Sequence, residues 1–99
     1  MEFNRELREG VISGEVTVSV RLWHQPKVKL GGRYRIGSEY IEIDSIEMMP
    51  FSSVTSADVR RSGETDRESL RKRAAHSGPI FDDSLVYRVE FHVLEHEPG

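Results

Sequence analysis

Residues 13 to 23 read SGEVTVSVRLW. Val16, Val18, Val20 and Leu22 alternate with Thr17, Ser19, Arg21 and Trp23. Strict period-two alternation is the mark of a β-strand with one face in a core. The other face carries two hydroxyls, a guanidinium and an indole in one row, and that row asks for an explanation.

Two further stretches repeat the pattern. In Leu85 to Leu94, Leu85, Tyr87, Val89, Phe91 and Val93 fall on one face, and Val86, Arg88, Glu90 and His92 on the other. In Tyr40 to Met49 the apolar positions are Ile41, Ile43 and Ile46, and Asp44-Ser45 breaks the alternation, which predicts a bulge. Arg33 to Ile36 reads as a short strand joined to the next by a two-residue turn, Gly37-Ser38. Pro26 and the Gly31-Gly32 pair mark His24 to Gly32 as a loop.

Helices are expected at three places. Phe3, Leu7 and Val11, spaced by four, predict a short N-terminal helix with Gly10 as its stop. Thr55 to Asp58 has capping-box spacing and opens a helix that should stop at Gly63. Thr65 to Glu68 has the same spacing and opens a helix to about His76, with Leu70 and Ala74 as its apolar stripe and Ser77-Gly78-Pro79 as its end. The order is helix, strands, two short helices, long strand. That predicts an α+β fold, residues 1–99 as one domain, with a small curved sheet or barrel.

Composition narrows the function classes. The chain has 99 residues, 36% hydrophobic and 31% charged, which suits a small globular domain with a modest core. No apolar run approaches the roughly 20 residues of a membrane span, so no membrane partner is expected. MEFNRELREG is charged from its second residue and does not read as a signal peptide. The sequence has no cysteine, which excludes disulfides, thiolate metal sites and a cysteine nucleophile. A cytoplasmic location is the expectation. The four histidines, His24, His76, His92 and His96, show no helical metal-pair spacing, so no metal and no cofactor are expected. No glycine-rich phosphate loop precedes a helix.

The formal net charge is −3, yet it is unevenly spread. From Arg21 to Arg35 the charged side chains are Arg21, Lys27, Lys29, Arg33 and Arg35, all positive. A basic segment on an acidic chain suggests a focused anionic partner, the alternative being a mixed-charge surface. Trp23 lies on the polar face beside this segment. That combination is the one used for single strands, an aromatic for stacking with cations for phosphate. If helices cover that face, Trp23 is instead a core residue. His24 reads either as a base or phosphate contact or as a loop histidine at the surface. The arginines between Arg60 and Arg73 read as a solvated helix face.

The motifs together resemble an ASCH domain, a branch of the PUA-like β-barrel superfamily. The resemblance rests on Gly14 with Thr17 and Arg21, the turn from Val28 to Gly37, the strand Ile41 to Ile46, the helix pair from Thr55 with Gly63, and Val86 to Phe91. It implies a small PUA-like β-barrel with short helices packed at its ends, and RNA or nucleobase binding in a cleft beside the first strand. Some short members of that family are hydrolases that remove the acyl group from N4-acetylcytidine, and one relative is described as a ribonuclease. The hydrolase pattern, Gly-x-Lys-x-x-Thr-x-Arg, places its lysine on Val16 and its threonine on Ser19. Its glutamate falls on Ser62 or Gly63, with Glu64 close by. Val16 has no proton or charge to lend, so Ser19 would lack its activating group.

The first expectation is therefore a binding module for single-stranded RNA or a nucleoside. Thr17, Ser19, Arg21, Trp23 and His24 would form its floor, and Lys27, Lys29, Arg33 and Arg35 would attract phosphate. The alternative is a small hydrolase acting on N4-acylcytidine or an RNA phosphodiester, with Ser19 and Glu64 as catalytic residues and His76 as another candidate base. A third possibility is a domain that works through protein contacts.

Overall fold

The first strand is shorter in space than its alternating stretch in sequence. The computed structural model describes residues 3–75 and 78–94, and in it β1 spans only Val18–Arg21. β2 is Arg33–Ile36, β3 is Glu39–Pro50 and β4 is Leu85–Leu94. They form one antiparallel sheet in the order β1-β4-β3-β2. The predicted barrel is not closed, because β1 and β2 lie at opposite edges and do not pair. A barrel needs every strand bonded on both sides, and here the outer edge of β1 faces helices instead.

The bulge falls where the alternation breaks. Ile43 pairs with Phe91 and Ser45 with Glu90, leaving Asp44 as the extra residue. Gly37 turns β2 into β3 with a φ of 60°.

Side chains opposite one another in register share a face of the sheet. Helix α1 (Arg5–Ser13) covers one face, with Phe3 and Val11 packed on Ile36, Ile41, Ile43, Val89 and Phe91. Beyond a 3₁₀ turn (Phe51–Ser53) come α2 (Ser56–Arg61) and α3 (Arg67–Ala74). They cover the other face, where Phe51, Val54, Val59, Leu70 and Ala74 pack on Val18, Val20 and Val86. β4 therefore carries buried apolar residues on both faces, Val89 and Phe91 on one and Val86 on the other. That is why Val86, assigned by alternation to a polar face, is fully buried.

Two helix boundaries differ from expectation. Gly10 lies inside α1, and the helix ends at Gly14, whose φ of 88° is left-handed. Gly10 is there for a close approach: a methyl group on it would sit 2.6 Å from Val16 Cγ2. The capping box at Thr55 forms, with Thr55 Oγ1 accepting from the Asp58 N–H at 3.0 Å and Asp58 Oδ2 from the Thr55 N–H at 3.1 Å. The second predicted box does not. Asp66 is the N-cap of α3, its Oδ1 accepting from the Ser69 N–H at 2.8 Å. A short carboxylate one residue closer to the helix outcompetes the Thr65 hydroxyl. The helix closes at Ala75, and His76 and Ser77 lie outside the described residues, as does His96.

Candidate functional site

The unpaired edge of β1 forms the floor of a cleft of about 440 Å³. Phe3, Asn4 and Leu7 at the start of α1 make one wall, and Leu70, Arg73 and Ala74 of α3 make the other. Ser62 and Glu64 close it from the turn after α2. Gly63 makes that turn possible. Its φ is 86°, and a methyl group there would meet Leu7 Cδ2 at 2.6 Å.

Six polar side chains line an otherwise apolar space, and one of them, Asn4, is occupied as the N-cap of α1, its Oδ1 accepting from the Leu7 N–H at 2.9 Å. Ser19 is buried, and its Oγ accepts from Arg21 Nε at 2.7 Å. The Arg21 guanidinium lies 5.1 Å from the centre of the Phe3 ring, which rests in turn on Phe91 with ring centres 5.6 Å apart. Glu64 is buried, and its Oε2 accepts from Arg73 Nε. Arg73 also reaches toward Glu6 at 3.9 Å. Ser62 Oγ donates to the Val59 carbonyl at 2.6 Å. A stacked arginine, a carboxylate pinned by a second arginine and two hydroxyls offer both donors and acceptors to a planar polar ligand, while Leu7, Val18, Val20 and Leu70 offer apolar contact.

An ion-pair network fastens the wall behind the cleft. Arg88 Nε donates to Asp58 Oδ1 at 2.9 Å, and a second nitrogen of Arg88 donates to Glu90 Oε1 at 2.9 Å. Arg61 pairs with Glu90 Oε2 at 3.1 Å, and its Nε donates to Thr17 Oγ1 at 2.9 Å. Burial pushes the Asp58 carboxyl up, but the Thr55 N–H and the Arg88 guanidinium outweigh it and hold the pKa below its ordinary value. Hydrogen bonds from Arg61 and Arg88 likewise hold Glu90 low.

The structure therefore divides the expected row. Ser19 and Arg21 line the cleft, and Glu64 joins them from α2's far end. Thr17 is spent on Arg61. Trp23 packs half-buried against the α1 side of the core, 6.1 Å from the Tyr87 ring. His24, Lys27 and Lys29 are exposed in the loop from β1 to β2. Arg33 and Arg35 lie on β2, at the sheet edge remote from the cleft, where Arg33 pairs with Glu42 at 3.1 Å and Arg35 donates to the Gly37 carbonyl. Val16 is buried in the core.

The sequence did not point to Phe3 or Arg73 as site residues, and Ser62 entered only as a position on which the family's glutamate falls. Arg73 had a usable signal: it lies three residues after Leu70 and one before Ala74, so it borders the buried stripe of α3. The other helix arginines are not simply solvated either. Arg67 donates to the Phe51 and Val54 carbonyls, and Arg71 to the Ile80 carbonyl and to Asp82.

Far from the cleft, the bulge brings Asp44 beside His92, whose Nδ1 lies 2.9 Å from both Asp44 oxygens. Glu42, Asp44 and His92 place ligand-type atoms within 4.8 Å of one another at the surface, with Glu42 shared by Arg33. Among the described residues no helix is long and apolar enough to cross a membrane.

No family model matches the chain, and no curated protein matches it. Solved structures do. An ASCH domain from Lactobacillus crispatus JV V101 superposes with a TM-score of 0.74 at 19% identity, over 92% of this chain and 72% of the other. A DUF984 protein from Enterococcus faecalis V583 superposes with a TM-score of 0.68 at 17% identity, over 90% of this chain and 67% of the other. The chain thus has an ASCH-type fold.

Proposed function

We propose that the chain is a nucleobase-binding module that takes one base of an RNA, or a nucleoside, into the cleft beside β1. The observation that carries this reading is that Arg21 shares one apolar-walled space with the buried Glu64, which is ion-paired to the partly exposed Arg73. A base has a planar apolar face and an edge of donors and acceptors, and this lining meets both. The ASCH-type fold supports the same reading through the family's association with RNA. The test is an amide-shift titration with the four common nucleosides. Shifts at Ser19, Arg21, Glu64 and Arg73 that disappear in Arg21→Ala are expected, and their absence refutes the reading.

A hydrolytic reading draws on one observation, the presence of the Ser19 hydroxyl and the Glu64 carboxylate in the same cleft. Against it, Ser19 Oγ accepts from Arg21 and Glu64 is held by Arg73, so neither is aligned to activate the other. Acetate released from N4-acetylcytidine, and lost in Ser19→Ala, would establish hydrolysis.

A further inference from the structure

We propose that the Trp23–Tyr87 surface is a second, stacking subsite, so that the ligand is a single-stranded RNA with one base in the cleft and its neighbours on these rings. The proposal rests on the cleft reading above and extends it from a base to a strand.

Arg21 connects the two places. It lines the cleft, and in register it stands opposite Tyr87 on the α1 face of the sheet. Tyr87 stands opposite Met48 on its other side. The Trp23 ring lies against Tyr87 at 6.1 Å with an interplanar angle of 40°. Helix α1 covers Val89 and Phe91 on this face but leaves the Tyr87 end uncovered, where Met48 is 59% and Leu85 54% exposed. Exposed apolar side chains beside two aromatic rings offer a surface on which a base can stack.

Charge selects the occupant. On this face β1 contributes Arg21 and no acid, and β4 contributes no acid. β3 contributes Glu39 alone, at the far corner opposite Ile36. The loop that leaves Trp23 adds exposed His24 and Lys27, while Lys29 lies across the sheet, its N–H donating to Tyr34 Oη of β2. The platform thus has Arg21 and His24 on its Trp23 side and the exposed Asp82 and Asp83 beyond Leu85, so a single strand fits with its bases on the rings and its phosphates toward Arg21.

Trp23 is the sole tryptophan, so emission excited selectively at the indole, beyond the absorption of the three tyrosines, reports on this subsite. The probes are the four nucleosides and a mixed-sequence RNA hexamer. The hexamer should quench Trp23 and bind at least about tenfold more tightly than any nucleoside. Tyr87→Ala should remove about tenfold of the hexamer's affinity while leaving nucleoside binding unchanged. Trp23→Phe, which keeps a stacking ring and the packing on the core, should retain it. Nucleoside binding with no hexamer gain, or a gain that Tyr87→Ala leaves intact, overturns the stacking subsite and spares the cleft reading. Hexamer binding that Tyr87→Ala weakens, without nucleoside binding, supports the platform and overturns the cleft. A dimer that Met48→Lys dissolves, in a protein that binds no hexamer, assigns this face to a second copy and overturns the proposal.

Discussion

At the scale of single residues, the same carboxylates that anchor the cleft wall make stability depend on pH. Asp58 titrates lower when folded than when unfolded. Its contribution is therefore complete above the unfolded value near 3.8 and is lost as pH falls through the lower folded value. Thermal melts over that acid window should show the parent losing stability faster than Asp58→Asn, so that the gap between the two narrows as pH drops. Parallel curves would place the acid sensitivity elsewhere. Gly10 gives a second test. A methyl group 2.6 Å from Val16 Cγ2 fits only if α1 moves or the stiff, buried Val16 side chain turns, so Gly10→Ala should destabilise by about 1 to 3 kcal/mol in chemical denaturation even though alanine favours helix. The alternating row alone pointed to Ser19 and Arg21, a hydroxyl and a guanidinium on its polar face, while Glu64 entered only through the family resemblance. Ser62 and Arg73 were illegible at this scale, since what matters about them is which neighbours the turn at Gly63 and the face of α3 bring near.

At the scale of elements, the strands were more legible than the helix ends. Period-two alternation and the Gly37-Ser38 turn gave the bounds of β2 and β4 as they stand, and the break at Asp44 gave the bulge. Helix ends depend on competition between nearby caps, and sequence spacing does not decide which wins. Asp66 beats Thr65 for α3, and Gly14 takes the left-handed position that Gly10 was expected to hold. Asp66→Ala should therefore cost about 1 kcal/mol in denaturant unfolding, and Thr65→Ala close to nothing. Equal costs would return the cap to Thr65. Because Arg73 sits in the last turn of α3, fraying that helix should also loosen the Glu64–Arg73 pair and weaken nucleoside binding.

At the scale of the molecule, the α+β class followed from element order, while closure of the sheet did not. Whether edge strands meet depends on the curvature of β3 and β4 and on what covers the edges, and neither is written in local pattern. The open edge of β1 is what leaves room for the cleft. Charge at this scale gives a prediction about salt. Nucleosides carry no phosphate, so their binding in the cleft should hold nearly constant between low and high salt. RNA hexamer binding should fall as salt rises, with a slope set by the phosphates contacted. Fluorescence titrations at two salt concentrations check this, and equal salt dependence for both ligands would contradict a cleft that reads the base.

The most direct measurement is the amide-shift titration of the parent and Arg21→Ala with adenosine, cytidine, guanosine and uridine. The account predicts saturable shifts at Ser19 to Arg21, Ser62 to Glu64 and Arg73 in the parent, and their loss in the variant. No shifts with any nucleoside, or shifts that survive Arg21→Ala unchanged, would contradict a nucleobase cleft at the edge of β1.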